Sequence, residues 1–508
     1  MNGVHLLLMV VAGWGLTLGL ECFATPRPRL ATRPVGAYAI HLGLWLIVIG
    51  TPLVALERPL LILVLGLGFW VLMVMVSNVK QDRLKEPLIY TDLAFVFYAM
   101  RNPRLYVPFF GTARFLLYGG VAFAAAFGLW RLEENWQSTI PDAGLAAIAA
   151  ATALFGVLLI VAGDRSTGDP TLDPAQDLRR YGLIANFWIY RRAERSERGG
   201  EVRTPFTDAR AQTAERPDII AIQSESFFDA RRRYPFVRPD VLTEFDAARP
   251  AAISEGRLLV PAWGANTVRT EFSFLSGLAG ESLGIDRFNP YRQLARRPIV
   301  TLVGYLRRLG YHTVCVHPYL ASFYERDRVY PLLGFDQFID RRAFSDGDKF
   351  GPYLSDAAVA AAIKHLVSDS NKPVFVFAIT MENHGPLHLE SVAAGEASEY
   401  LTDRASTESD RDLIVYLRHL KNADRMLATL TDWMRERSRP THLCWYGDHV
   451  PIMPADDRAT TPTDGATDYL VLSNRINGAG LHQDVGVEAL GPLLLASAGL
   501  MAGRMSGS

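Results

Sequence analysis

The chain has 508 residues, with 52 Lys+Arg against 53 Asp+Glu and a formal net charge of −1. That balance argues against a nucleic-acid binder working by bulk positive charge. The 49% hydrophobic content excludes wholesale disorder, and three cysteines exclude a disulfide scaffold or a multi-Cys zinc finger.

The mean hydropathy of +0.10 pools unlike regions. Crossing a bilayer takes about 20 residues of apolar helix. Five apolar runs approach that length: residues 4–20, 38–56, 60–76, 115–130 and 143–163. Five within 165 residues predict an all-α transmembrane bundle over residues 1–165. No small-residue cleavage site follows the first run, so it reads as an anchor rather than a signal peptide. Basic residues cluster after the first and third runs (Arg27, Arg29, Arg33, Lys80, Arg83, Lys85, Arg101, Arg104, Arg114), against Arg58 and Arg131 on the other side. The positive-inside rule places those loops, and everything after a fifth span, in the cytoplasm. The stretch 86–100 reads as amphipathic and interfacial, which weakens that count.

Residues 166–216 change regime, being rich in Gly, Pro, Asp and Arg. Residues 178–195 set Tyr181, Phe187, Trp188 and Tyr190 among Arg pairs, a pattern that suits an interfacial helix or an ordinary packed one. Residues 194–217 read as an exposed linker.

From residue 217 to 508 apolar runs alternate with helical periodicity, predicting an α/β domain with a mainly parallel sheet. The strands expected are 218–222, 311–316, 373–379 and 441–446; the helices are 301–309, 357–367 and 410–435. In such sheets ligands bind beyond the carboxyl ends of the strands. Those ends are followed by Gln223-Ser-Glu225, by His317, by Asn383-His384-Gly385 and by Gly447-Asp448-His449. Glu225, Asp448 and His449 offer two carboxylates and an imidazole, a donor set for a divalent cation such as Zn²⁺ or Mn²⁺. Cys315 and Cys444 lie inside predicted strands, as small buried hydrophobes. Gly264-Ala-Asn266-Thr267 leads into a helical pattern, so Thr267 sits near a helix N-terminus. It reads equally as a cap and as a nucleophile at an anion-binding helix end.

These motifs, in this order, resemble the lipoteichoic acid synthase and phosphoglycerol transferase group of the alkaline phosphatase–sulfatase superfamily. Ser224-Glu225-Ser226 resembles that group's first metal motif. Gly264-Ala-Asn-Thr267 with Thr270-Glu-Phe-Ser273 resembles its catalytic threonine segment. His317, Phe323-Tyr324-Glu-Arg326-Asp327 and Gly334-Phe335-Asp336 resemble its head-group stretch. Asn383-His384 and Tyr446-Gly447-Asp448-His449 resemble the remaining two. Tyr324 stands where the lipoteichoic acid enzymes carry Trp, and no Cys/Ser-x-Pro-x-Arg motif surrounds Thr267, which argues against formylglycine chemistry.

The resemblance implies a divalent metal, Mn²⁺ first with Zn²⁺ or Mg²⁺ as alternatives, held by Glu225, Thr267, Asp448 and His449. It implies Thr267 as nucleophile, with His384 and Arg326 assisting and His317 and Tyr324 beside the head group. The implied reaction moves glycerophosphate from phosphatidylglycerol to a surface glycan. Phosphoethanolamine transfer and phosphodiester hydrolysis are the alternatives. It further implies a multi-pass bacterial inner-membrane protein whose catalytic domain faces outward, against the charge count. Long domains translocate largely regardless of charge, so the resemblance takes precedence.

Overall fold

The computed structural model describes residues 3–56, 58–94, 112–133, 142–196, 202–402, 410–453, 464–478 and 480–502. They fall into two compact units, residues 1–199 and 200–508. Residues 95–100 of the expected interfacial stretch 86–100, with Arg101 and Arg104, lie outside the described residues.

The first unit is helical: α1 (Gly3–Glu21), α2 (Val35–Leu56), α3 (Pro59–Leu84), α4 (Thr112–Leu132), α5 (Asp142–Ser166), α6 (Pro174–Tyr181) and α7 (Leu183–Ser196). Each of the five apolar runs lies within one of α1 to α5. Among the described residues two helices are long and apolar enough to cross a membrane, Pro59–Leu84 and Ala143–Ser166; the apolar stretches of α1, α2 and α4 are shorter. Leu7, Leu8, Val11, Leu72, Leu154, Phe155 and Leu158 are exposed, an apolar exterior that suits lipid. Helices α2 and α5 meet backbone to backbone. A Cβ on Gly43 would sit 2.5 Å from the Gly156 carbonyl oxygen, and one on Gly163 equally close to that of Gly36.

The stretch 178–195 is divided at Gly182 between α6 and α7. Leu178, Tyr181, Ile189 and Tyr190 are buried within the first unit, and the Tyr190 hydroxyl donates to Asp177 at 2.9 Å. A buried ion pair ties α1, the connection before α2 and α7 together. Arg33 donates to Glu21 Oε2 at 2.8 Å, both side chains are fully buried, and Glu21 Oε1 accepts the Ile184 amide at 2.9 Å.

The second unit is built on one mixed sheet. Its strands are β1 (Asp218–Ser224), β2 (Ser254–Leu259), β3 (His312–Val316), β4 (Gln337–Ile339), β7 (Val374–Ile379), β8 (Thr441–Gly447), β9 (Thr467–Ser473), β10 (Leu481–His482) and β11 (Val485–Gly486); β5 (Lys349–Phe350) and β6 (Tyr353–Leu354) form a separate hairpin. The order is β10-β2-β9-β8-β1-β7-β3-β4, with β11 also on β2. The four predicted strands form the parallel centre, β8-β1-β7-β3. The edge beyond β8 turns antiparallel, because β9 pairs antiparallel with β8 and β2 with β9.

Helices cover both faces: α8 (Thr243–Ala248), α9 (Thr267–Ser276), α10 (Leu302–Arg308), α11 (Arg326–Leu333), α12 (Asp356–Ser368), α13 (Arg411–Arg435) and α14 (Val487–Ser497). Alternate residues of the central strands point to opposite faces. Ile220, Val376 and Trp445 pack with α12 and α13; Ile219, Phe377 and Tyr446 pack with α9 and α14. Two buried faces explain why these strands read as continuous apolar runs. Cys315 and Cys444 are free thiols buried in the second of these layers. Phe206, in the stretch read as a linker, is fully buried in the same layer.

Replacing Glu21 with Ala leaves Arg33 buried without its carboxylate. We expect a loss of about 3–5 kcal/mol, read as a lowered melting temperature of the detergent-solubilised protein, with little change for an exposed control such as Gln176→Ala.

Candidate active site

The carboxyl ends of β1, β7 and β8 carry the site. In parallel register Ser224 lies opposite Gly447 and Gln223 opposite Ile379, so the residues after each strand emerge side by side. Glu225, Asp448 and His449 converge there: one ligand atom from each lies within 4.8 Å of the others, and all three are buried. His449 Nε2 is 3.7 Å from Glu225 Oε1 and 3.4 Å from Asp448 Oδ2.

Hydrogen bonds lock this cluster. The Ser226 amide donates to Asp448 Oδ1 at 2.9 Å, and the Ser226 hydroxyl to Glu225 Oε1 at 3.0 Å. The Glu225 amide donates to Thr380 Oγ1 at 2.9 Å, joining the ends of β1 and β7. From α13 the Tyr416 hydroxyl donates to the Ser226 carbonyl at 2.8 Å. Gly447 is required by this closeness: a Cβ there would fall well inside contact distance of the Phe227 carbonyl oxygen.

The donor set fits a divalent cation on two grounds. Asp448 Oδ2 is buried with no hydrogen-bond partner. Burial and the neighbouring Asp448 carboxylate push Glu225 up to about 8, the signature of paired acids lacking a counter-charge.

Thr267 is the first residue of α9. Asn266, in the left-handed region with φ of 65°, takes the cap position, so Thr267 is not the cap. Two bonds tie this segment to the cluster. The Thr270 hydroxyl donates to the Asp448 carbonyl at 2.8 Å, and the Gly264 amide to the Val450 carbonyl at 3.0 Å.

Arg326 is buried and does not pair with Asp327 or Glu325. Its partner is Glu271 on α9: Nη2 donates to Oε2 at 2.8 Å and Nε to Oε1 at 3.3 Å. The Tyr291 and Tyr330 hydroxyls also donate to Glu271, which is fully buried. Arg326 Nη1 donates to His317 Nε2 at 3.3 Å, leaving His317 Nδ1 to donate to the Ile379 carbonyl at 3.3 Å. Burial, then the Arg326 charge, hold His317 well below its ordinary value, so it is neutral. Tyr324 stacks its ring 5.1 Å from the Arg326 guanidinium carbon. Tyr324 and Glu325 are consecutive left-handed residues (φ 56° and 55°), a local strain of about 1–3 kcal/mol each.

His384 is partly buried. Its Nδ1 donates to the Gly385 carbonyl at 2.6 Å, so Nε2 carries the lone pair. Burial lowers its pKa, while the Asp448 charge acts against that shift. A hydrogen bond joins His317 to Arg326, the Arg326 guanidinium lies over Tyr324, and Thr267 is tied to the Asp448 cluster through its helix. The reading from sequence did not assign roles to Glu271, Thr380 or Tyr416. Glu271 left a signal, one turn after Thr267 on the same helix, and so did Thr380, the first residue after β7.

Gly447→Ala is expected to displace the Phe227 carbonyl and open the Glu225–Asp448 spacing. Bound divalent metal, measured by elemental analysis of the full-length protein, should fall at least about tenfold at equal protein, a loss of about 1.4 kcal/mol or more in metal binding.

The comparisons with known proteins agree with this architecture. The family model described as Sulfatase matches residues 217–500, more than half of the chain. The capsular polysaccharide biosynthesis protein RkpI of Rhizobium meliloti is 28% identical over 438 residues, 82% of this chain and 77% of that protein. Lipoteichoic acid synthase 1 of Bacillus subtilis is 24% identical over 172 residues, 33% of this chain and 26% of that protein. Among solved structures, the integral membrane lipooligosaccharide phosphoethanolamine transferase A of Neisseria meningitidis has the same fold, with a TM-score of 0.54 at 11% identity over 96% of this chain and 95% of that one. A helical region followed by an α/β domain with these five motifs in order, matched over 217–500, makes this chain a member of the sulfatase family, in the alkaline phosphatase superfamily.

Proposed function

We propose that the protein is a membrane-anchored, metal-dependent phosphotransferase that moves glycerophosphate from phosphatidylglycerol to a glycan hydroxyl through a phosphothreonine-type diester on Thr267. The observation that carries this reading is the attachment of the Thr267 helix, through Thr270, to the backbone of Asp448 in the buried Glu225–Asp448–His449 cluster. A divalent cation, with Mn²⁺ the first choice, would be held by Glu225, Asp448, His449 and the Thr267 hydroxyl, and when bound supplies Lewis-acid charge that polarises the phosphate and eases loss of the hydroxyl proton.

In the first step Thr267 Oγ bonds to phosphorus and the bond to the diacylglycerol oxygen breaks. The Thr267 proton leaves, and a proton reaches the departing alkoxide. His384 Nε2, a free lone pair near Asp448, suits that transfer. In the second step an acceptor hydroxyl loses its proton, attacks the same phosphorus, and Thr267 Oγ departs and regains a proton. The α9 N-terminus favours the anionic phosphate. Arg326 retains one N–H on each terminal nitrogen beyond those given to Glu271 and His317, and these suit phosphate oxygens. His317 and Tyr324, packed against Arg326, suit the glycerol side of the head group.

The apolar helices of the first unit support a lipid donor, because drawing a chain out of a bilayer costs about 0.8 kcal/mol per CH₂. The relative named for capsular polysaccharide biosynthesis supports a carbohydrate acceptor. The reading places the enzyme in a bacterial inner membrane as a multi-pass protein with the catalytic unit outside. Phosphoethanolamine transfer is the second reading, favoured by the fold likeness alone.

Intact-mass analysis of the full-length protein incubated with vesicles should show a glycerophosphate adduct with phosphatidylglycerol and none with phosphatidylethanolamine. An ethanolamine-phosphate adduct instead would move the assignment to the second reading. Thr267→Ala should lose the adduct and at least about 10³-fold of diacylglycerol release, over 4 kcal/mol of barrier, while keeping its metal. A reporter fused to the C-terminus should be active outside the cytoplasm; activity inside sinks the surface acceptor.

A further inference from the structure

The segment between β7 and Glu390 carries Asn383 and His384 into the site. Asn383 is 3% exposed, and neither its amide oxygen nor its nitrogen has a hydrogen-bond partner. A segment that offers buried polar groups to a ligand has to be held from elsewhere. Both of its flanks are held by one side chain. His419, fully buried in the middle of α13, has Nδ1 at 3.1 Å from Glu382 Oε1 and Nε2 at 3.0 Å from Glu390 Oε1. Two carboxylates can only accept, so both ring nitrogens donate and the ring is an imidazolium. Glu382 is oriented further by the Asn422 amide at 2.6 Å and the Asp356 backbone N–H at 2.7 Å. One turn earlier on α13, Tyr416 holds Ser226 next to Glu225.

We propose that His419 is a positioning residue: its imidazolium clamps Glu382 and Glu390 and so sets the segment that presents Asn383 and His384 to the substrate. The proposal rests on the reading of His384 as part of the reaction site.

The charges facing His419 are Glu382 and Glu390 across the clamp, Asp356 on α12 beside Glu382, and Arg418 and Glu396 at the rim; Phe350 contributes only its ring edge. Burial alone would depress the imidazolium, but bonds to the two carboxylates outweigh it and hold His419 at about 9, above its ordinary 6.5. A raised value means the clamp is fully present below the ordinary value and is lost as pH rises through about 9. The neutral ring keeps one N–H and releases one flank.

The test uses full-length protein in detergent with Mn²⁺ and two readouts. Hydrogen–deuterium exchange of the peptide spanning residues 380–390, at one neutral pH, reads the clamp without reference to any substrate. Hydrolysis of bis(4-nitrophenyl) phosphate across the neutral-to-alkaline range reads its effect on the site. His419→Gln is expected to speed exchange in that peptide by about tenfold or more and lower kcat/KM by roughly tenfold. It should also erase an alkaline limb near pH 9. Glu390→Gln, the milder change at the rim, keeps an acceptor but removes a charge, and should move the limb down by about one pH unit. Wild-type exchange in His419→Gln, or an unmoved limb in Glu390→Gln, overturns the clamp. If the wild-type protein forms no adduct with phosphatidylglycerol, the reaction assigned to the site fails while the exchange comparison still decides the clamp.

Discussion

Two carboxylates, Glu225 and Asp448, are buried side by side at the ends of adjacent parallel strands, and much of the second unit is arranged around their mutual repulsion. At a few ångströms in a poorly solvated site like charges cannot both persist without compensation. The chain itself compensates only partly, with the Ser226 amide and hydroxyl and the His449 ring. The remaining demand for positive charge is what suits the cluster to a divalent cation. It also explains why Gly447 precedes Asp448: any side chain there would push apart the turn that carries Glu225.

The second charged centre, Arg326 with Glu271, works the opposite way. It is neutral as a pair, with Glu271 held by two tyrosine hydroxyls and Arg326 by Glu271 and His317. One helix serves both centres, since α9 begins with Thr267, bonds to Asp448 through Thr270 and supplies Glu271. The nucleophile candidate therefore stands between a cluster rich in negative charge and a cation already balanced. The left-handed residues Asn266, Ser226, Tyr324 and Glu325 all sit at the loops that make this arrangement. Strain concentrates where the backbone has to turn sharply to aim a side chain.

The first unit obeys another constraint. Its exterior is apolar, so its polar groups have to satisfy one another inside. Glu21 on α1 takes up Arg33 and the Ile184 amide of α7, and the Gly36/Gly163 and Gly43/Gly156 contacts let α2 and α5 approach at backbone distance. The stretch at 178–195 was ambiguous because an aromatic and basic helix looks the same whether it faces head groups or neighbouring helices; here Tyr181 and Tyr190 face inward.

The apolar helices, the four central strands and the residues that follow them are legible in the sequence. Those features are local: a strand buried on both faces is a continuous apolar run, and Glu225, His317, His384, Asp448 and His449 are adjacent to their strands through the chain. The flanking strands β2 and β9 were not legible, because Glu255, Gly256 and Asp468 break the apolar pattern and pairing alone makes them strands. Folding in three dimensions is what pairs Arg326 with Glu271, 55 residues away, rather than with its chain neighbours, and sets His419 between Glu382 and Glu390 at separations of 37 and 29. The reason is physical. Backbone periodicity is written residue by residue, whereas the partner that neutralises a buried charge is whichever group the fold brings within about 3 Å.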